Sequence, residues 1–279
     1  MAPDPMRMND QEIREAVRER YASSAIAVLT EVNGTGCCSP KDTDPITRDL
    51  YDIEASALSD TALVASLGCG NPTALAELKA GDTVLDLGSG GGLDVLLSAK
   101  RVGPTGKAYG LDMTAEMLEL ARRNQAEAGV TNAEFIEGTI EHVPLPDGSV
   151  DVIISNCVIN LAADKDVVLR EAHRVLRAGG RVAVSDMVLL RPLPAPAMQA
   201  MGLWTGCISG ALLIDDYKEK LTAAGFHDVD IEVTRTLRAT DLRGMANGLP
   251  ADVIPVEQHD SLIAEMDGAI VSAFVRAVA

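Results

Sequence analysis

The sequence predicts an α/β fold with a doubly wound, mostly parallel sheet of seven strands. From Thr83 onward, short apolar runs alternate with amphipathic helical stretches, which is the pattern of a parallel sheet covered by helices on both faces. A glycine-rich segment follows the first apolar run directly and precedes the first of these helices. The chain has 279 residues, 47% hydrophobic and 23% charged, and is therefore long enough to bury a sizeable core.

The spacing of apolar residues places each element in turn. A first helix is expected at 9–29, where Asn9 and Glu12 form a possible capping box, and a loop rich in turn formers follows it. Five parallel strands are expected at 83–87, 107–112, 133–137, 150–155 and 180–188. Helices are expected at 92–101, 114–128, 164–177 and 215–224, the third of them ended by Gly179 and Gly180. Strands at 226–234 and 269–278 can finish the sheet as a hairpin, whereas 235–268 shows no clear period.

Charge and composition disfavour two classes of partner. The chain carries 24 Lys and Arg against 41 Asp and Glu, a net charge of −17, which repels nucleic-acid phosphates and anionic membrane surfaces. An uncharged run at 192–214 is long enough to cross a bilayer, but its prolines and glycines favour a buried or substrate-lining segment. The N-terminus has no apolar region behind a basic start, so no signal peptide and a cytoplasmic location are expected.

The glycine-rich segment predicts a nucleotide site at the first strand. Asp86 is followed by Gly88, Ser89, Gly90 and Gly92. Because glycine has no β-carbon, the backbone of this segment can approach a ligand closely. The dinucleotide fingerprint requires a further glycine where Leu93 stands, so a dinucleotide is the weaker interpretation. An acidic residue at the end of the second strand, Asp112, can accept hydrogen bonds from ribose hydroxyls. The alternative is a tight turn in which Asp112 merely caps the following helix.

Five cysteines, an odd number without a C-x-x-C pair, argue against a disulfide framework and a zinc finger. Cys157 directly follows the fourth strand, where ligands of such sheets bind, and Cys69 and Cys207 lie in separate segments. Together these three thiols can hold a soft, thiophilic centre. Zinc with a fourth ligand such as Cys37, Cys38 or a histidine is an alternative, and so are simple buried thiols.

The glycine motif and residues 110–113 (GLDM) resemble class I S-adenosylmethionine-dependent methyltransferases, a Rossmann-like fold. The resemblance implies S-adenosylmethionine as the cofactor and assigns its site to three groups of residues. The first group, which would hold the cofactor, is Asp86, the glycine turn and Asp112 with Met113. The second group, which would lie along the adenine, is Thr139, Ile140 and Glu141 after the third strand. The third group is the loop after the fourth strand, here Asn156.

Three cysteine-bearing segments resemble signature segments of the arsenite methyltransferase family: 66–72 (SLGCGNP), 155–161 (SNCVINL) and 203–212 (LWTGCISGAL). The resemblance implies methyl transfer from S-adenosylmethionine to As(III) held by Cys69, Cys157 and Cys207. It also implies a disulfide between the position of Cys69 and an N-terminal cysteine, here Cys37 or Cys38, and an external thiol reductant of the thioredoxin or glutathione type. The family has one cysteine at that N-terminal place, so the doublet leaves the acting thiol open.

The resemblance divides the chain into three regions. Residues 1–60 would carry the N-terminal helix and the redox cysteine loop, 61–190 the cofactor-binding domain, and 191–279 the As(III)-binding segment with the C-terminal strands that complete the sheet. Two other functions are compatible with the residues. One is a methyltransferase that acts on a small organic molecule and has cysteines only in its core, and the other is a thiol-based metalloid-binding protein without turnover.

Overall fold

The computed structural model describes residues 9–31, 76–198, 207–246 and 256–279. The strands within these residues are β1 (Thr83–Leu87), β2 (Lys107–Asp112), β3 (Ala133–Glu137), β4 (Val150–Asn156), β5 (Leu176–Leu189), β6 (Leu212–Leu213), β7 (His227–Thr236) and β8 (Ile270–Val278). The helices are α1 (Asp10–Glu31), α2 (Leu93–Val102), α3 (Ala115–Ala128), α4 (Lys165–Val175), α5 (Ala195–Met198), α6 (Ile214–Ala223), α7 (Ala239–Ala246) and α8 (Val256–Met266).

The described strands form one mixed sheet in the order β3-β2-β1-β4-β5-β8-β7. Neighbours from β3 to β5 are parallel, whereas β8 runs antiparallel to both β5 and β7. The two-residue strand β6 adds a short parallel pairing to β5 that the sequence did not predict. This architecture confirms the predicted α/β fold with a mostly parallel sheet. The strand order reverses between β1 and β4, so a crevice is expected where their carboxyl ends diverge.

One predicted helix end is wrong. Helix α4 ends at Val175, and β5 begins at the next residue, so Gly179 and Gly180 lie inside the strand rather than after the helix. The pairing of β4 with β5 shifts register near this point, and Gly179 has a φ of 73°. A β-carbon on Gly180 would stand 2.8 Å from the carbonyl oxygen of Arg177. These glycines therefore permit an irregularity in the strand. In the sequence, a glycine pair with this role looks the same as one that ends a helix.

The C-terminal region contributes a hydrophobic cluster beside the carboxyl ends of the strands. Two helices, α7 and α8, form in the segment that showed no clear period, and they pack against each other. Their buried side chains Leu242, Leu262, Ile263 and Met266 join one cluster with Cys157, Cys207, Val17 of α1 and apolar residues of β5 and α5. Each fully buried side chain of this kind stabilises the fold by about 1.5–3 kcal/mol. The cluster therefore fixes the surroundings of both cysteines.

The uncharged run at 192–214 is described in part. Leu193, Ala197 and Ile208 are buried in the same cluster as Cys207, while residues 199–206 lie outside the described part. Within the described residues, no helix combines the length and the apolar composition that a membrane span requires.

Candidate active site

The glycine turn after β1 has the backbone that the motif predicts. Gly88, Gly90 and Gly92 all have positive φ, at 74°, 49° and 86°. The amides of Gly88 and Ser89 donate to the carbonyl of Leu111 at 2.8 and 2.9 Å, which ties the turn to the end of β2. A β-carbon on Gly88 would lie 2.5 Å from the side chain of Val158. The turn therefore needs glycine both for its dihedral angles and for close approach to the loop after β4.

Asp112 organises this turn from the end of β2. Its Oδ2 accepts from the amide of Gly90 at 2.9 Å, and its Oδ1 accepts from the amide of Thr114 at 2.9 Å. Burial raises the pKa of Asp112, while these backbone hydrogen bonds act in the opposite direction. Since each carboxylate oxygen has a second lone pair, Asp112 can cap α3, hold the glycine turn and still accept from a ribose hydroxyl.

A cleft lies at the carboxyl ends of β1, β2 and β4. It is lined by every predicted cofactor residue except Gly92: Asp86, Gly88, Ser89, Gly90, Asp112, Met113, Thr139, Ile140, Glu141 and Asn156. A β-carbon on Gly92 would lie 2.7 Å from the ring of Phe135, so this glycine allows α2 to pack closely.

Three buried polar atoms of residues that line the cleft have no hydrogen-bond partner among the described residues. They are Nε of Arg14, Oδ1 of Asp86 and Oγ of Ser89, and Asp86 and Ser89 are 3% and 8% exposed. An unsatisfied buried group of this kind costs about 1–3 kcal/mol, which a ligand with matching donors and acceptors would recover. The pKa of Asp86 is raised well above its usual range, first by burial and then by the charges of Asp94 and Asp112. The arrangement therefore favours a ligand that donates hydrogen bonds and carries positive charge.

Helix α1 forms a wall of the cleft that the sequence did not assign to the site. Asp10, Arg14, Val17 and Tyr21 line it at intervals of four, three and four residues, so they share one helix face. Arg14 forms an ion pair with Glu141 at 3.3 Å, which joins α1 to the segment after β3. The helical spacing was visible in the sequence, but nothing local indicated what this face covers.

Cys157 and Cys207 lie together beside the cleft. Cys157 follows β4 directly, and its amide donates to the carbonyl of Ser185 at 2.8 Å. The thiol of Cys207 donates to the carbonyl of Cys157 at 2.7 Å, and both residues are buried. Asn156 and Val158, the neighbours of Cys157 in the chain, line the cleft. Burial and then the charge of Asp186 raise the pKa of Cys207.

The two sulfur atoms differ in state. Cys207 has a free thiol, whereas Cys157 is disulfide-bonded. The remaining predicted cysteines, Cys37, Cys38 and Cys69, lie outside the described part of the chain. Within that part, no group of three or more His, Cys, Asp or Glu side chains is arranged to hold a metal ion.

The comparisons with known proteins agree with this architecture. Residues 78–225 match the family model described as a methyltransferase domain. The crystal structure of an arsenic(III) S-adenosylmethionine methyltransferase from Chlamydomonas reinhardtii is 31% identical and superimposes with a TM-score of 0.59. The match covers 86% of this chain and 74% of the algal chain. This chain belongs to the arsenite methyltransferase family.

Relatives from two other kingdoms have the same family name. The arsenite methyltransferase of Halobacterium salinarum is 45% identical over 230 residues, which cover 79% of this chain and 59% of that protein. The human arsenite methyltransferase is 32% identical over 214 residues, which cover 74% of this chain and 56% of that protein. The chain therefore spans somewhat more than half the length of these arsenite methyltransferases, within the class I fold that the family shares.

Proposed function

We propose that this protein transfers methyl groups from S-adenosylmethionine to trivalent arsenic bound by cysteine thiolates. The observation that carries the proposal is the contact between the Cys207 thiol and the backbone carbonyl of Cys157, whose two neighbours in the chain line the cleft. The names of the relatives support arsenite as the substrate. Once Cys157 is reduced, two buried cysteines whose residues touch suit a soft, thiophilic ion better than a hard cation, which carboxylates would attract.

The cleft residues suit S-adenosylmethionine. Its ribose hydroxyls can donate to Asp112, and its ammonium group can donate to the unpartnered Oδ1 of Asp86. The ammonium and sulfonium charges would offset the repulsion among Asp86, Asp94 and Asp112. Thr139, Ile140 and Glu141 would then lie along the adenine, and α1 would cover the bound molecule. The cofactor supplies a methyl group on a positively charged sulfur that leaves as a neutral thioether.

The thiols would position arsenic for attack. Cys69, Cys157 and Cys207 would form three As–S bonds, and the arsenic lone pair would face the cleft. Fixing the nucleophile in line with the transferred carbon lowers the entropic part of the barrier, so no general base is needed at that step. The raised pKa of Cys207 does not prevent binding, because each thiol proton can leave with an arsenic hydroxide as water. One As–S bond and one water molecule form for each As–O and S–H bond broken.

A redox cycle completes the proposal. Cys37 or Cys38 would form a disulfide with Cys69 and return two electrons to the methylated arsenic, and an external thiol of the thioredoxin or glutathione type would reduce that disulfide. The disulfide at Cys157 is a different bond, because Cys157 is not a member of this pair. A sulfur in a disulfide cannot bind arsenic, so this bond too would require the reductant. The cytoplasm, where such reductants are abundant, is the expected location.

Substitution of single cysteines tests the thiol site. In the reduced protein we expect Cys157→Ser and Cys207→Ser each to abolish tight As(III) binding, since a hydroxyl is a poor ligand for a soft ion. Binding is measured by equilibrium dialysis with arsenic analysis. S-adenosylmethionine affinity, which involves other side chains, should stay within about threefold of wild type and serves as the control for folding. Wild-type As(III) affinity in Cys207→Ser would refute the thiol site.

A further inference from the structure

Cys157 and Cys207 both have a left-handed backbone conformation that residues other than glycine rarely adopt. Cys157 has a φ of 61° and Cys207 a φ of 63°, although neither is a glycine. Such residues cost about 1–3 kcal/mol each and persist where surrounding contacts hold them. The amide of Cys157 is held by Ser185 of β5. Cys207 belongs to a separate segment, and its thiol already bonds to the carbonyl of Cys157, so a contact to the Cys207 backbone would fix that segment independently of the thiol.

The side chain of Asn160 supplies that contact. Asn160 is fully buried in the short 3₁₀ turn Ile159–Leu161, three residues after Cys157. Its Nδ2 donates to the carbonyl of Met187 at 2.7 Å and to Oδ1 of Asp186 at 2.7 Å, and it reaches the carbonyl of Cys207 at 3.4 Å. The amide therefore joins the loop after β4, strand β5 and the segment that carries Cys207.

Asp186 fixes the orientation of this amide. Its Oδ1 accepts from Asn160 and from the backbone amide of Met187 at 3.0 Å, and its Oδ2 accepts from the hydroxyl of Tyr217 at 3.4 Å. All three side chains that meet here, Asp186, Asn160 and Tyr217, are fully buried. A rotated amide would place its oxygen against three acceptors, so only one orientation is compatible with the surroundings.

The same amide is imperfect as a purely structural bridge. Oδ1 of Asn160 is buried and has no hydrogen-bond partner among the described residues. An unsatisfied acceptor reduces the net stability that the bridge provides, by about 1–3 kcal/mol. We therefore expect Asn160 to matter more for the position of the segment that carries Cys207 than for the stability of the fold.

We propose that Asn160, oriented by Asp186, is a positioning residue that sets the separation of the Cys157 and Cys207 thiols for arsenic. The inference rests on the proposed thiol site. Two As–S bonds to one arsenic atom require both sulfur atoms within a narrow range of distances, and errors of about 1 Å are costly for such alignment. Asn160 touches the backbone of Cys207 rather than the substrate, so its effect would pass through the cysteine.

The chain contains a matched control residue. Asn132 also points one Nδ2 at three backbone carbonyls, those of Ala99, Gly103 and Gly106, at 2.9, 2.9 and 3.3 Å. It stands just before β3, at the edge of the sheet opposite the cleft. Asn132→Ala therefore removes the same kind of bridge without touching the segments that carry the cysteines.

The test is binding of phenylarsine oxide, which loses its oxygen as water when it bonds to two thiols. The full chain is reduced with a monothiol and desalted, and binding is followed by the fluorescence of Trp204, the only tryptophan, three positions before Cys207. We expect Asn160→Ala to raise the dissociation constant about tenfold or more, with S-adenosylmethionine affinity changed less than about threefold. Asn132→Ala should leave the arsenical affinity within about threefold of the wild-type value. It should lower the melting temperature at least as much as Asn160→Ala does.

Two results would overturn the inference. One is wild-type arsenical affinity in Asn160→Ala, and the other is an equal loss of arsenical affinity in Asn132→Ala, which would indicate general destabilisation.

Cys207→Ser separates this inference from the proposed function. If Cys207→Ser loses the arsenical and Asn160→Ala does not, only the positioning role is wrong. If Cys207→Ser binds as wild type does, the thiol site is wrong and the inference fails with it. Should Asn160→Ala not fold, Asn160→Ser, which is too short to reach the Cys207 carbonyl, provides the same comparison.

Discussion

At the scale of residues, the candidate site contains buried polar side chains that a sequence motif predicts and others that no motif predicts. Asp86 and Asp112 were predicted because each has a fixed distance from the glycine turn, and a turn of that kind has few other uses. Asp186 and Asn160 were not predicted. Asp186 lies in the middle of β5 and Asn160 inside an apolar run, and their contact arises only when the loop after β4 packs against β5. No local spacing indicates such a contact.

The buried state of Asp186 predicts how stability depends on pH. Burial raises the pKa of Asp186 to about 7, against the effect of the hydrogen bond from Met187 and the charge of Lys165. In the unfolded chain an aspartate titrates near about 4, so between about pH 4 and 7 the folded state holds a proton that the unfolded state has lost. This group's contribution to the free energy of unfolding therefore falls as pH rises through that window, by at most about 4 kcal/mol.

Asp186→Asn, which mimics the protonated form, isolates this contribution. We expect the stability of the variant relative to the wild type to increase as the pH rises from about 5 to about 8, because most of the titration window lies between these values. Urea unfolding of the reduced proteins at both pH values measures the difference. An equal difference between variant and wild type at the two pH values would show that Asp186 does not titrate in this window.

At the scale of elements, the helices and strands with a strong local pattern lie where the sequence predicts them. The bounds of β1, β2 and β3 agree with prediction, because short apolar runs bounded by turn formers are unambiguous. Gly179 and Gly180 were misread, since a glycine pair that permits an irregular strand resembles a helix stop. Helices α7 and α8 were missed, because their apolar faces are defined by the cluster around Cys207 rather than by a long regular period. Helix α1 was predicted as a helix, but its place over the cleft depends on tertiary packing.

The position of α1 predicts a role in cofactor binding. Val17 is 3% exposed and lines the cleft, so a carboxylate at this position would be buried beside Asp86 and Asp112 or would displace the helix. We expect Val17→Asp to weaken S-adenosylmethionine binding about tenfold or more, measured by isothermal titration calorimetry. Ser23→Asp, which places the same charge on an exposed position of α1, is the control and should bind as the wild type does. Unchanged affinity in Val17→Asp would remove α1 from the site.

At the scale of the whole molecule, the proposed function requires a cationic cofactor and a thiophilic substrate at one edge of the sheet. The cofactor cleft is built from β1, β2, β4 and α1, and the thiols are held by the loop after β4 and the C-terminal cluster. The sequence motifs predicted a cofactor site and a separate cysteine site, and both assignments stay predictions. They did not predict how the two sites are joined, because the contacts of Asn160 and α1 connect segments that are far apart in the chain.

The most direct test of the central claim is a single methyl-transfer assay. The reduced protein is incubated with isotope-labelled S-adenosylmethionine, As(III) and a thiol reductant, and the arsenic species are separated by chromatography. The account predicts labelled methylated arsenic from the wild type and none from Cys207→Ser. Absence of methylated arsenic from a protein that binds S-adenosylmethionine, together with methylation of an organic acceptor that survives Cys157→Ala, would contradict it.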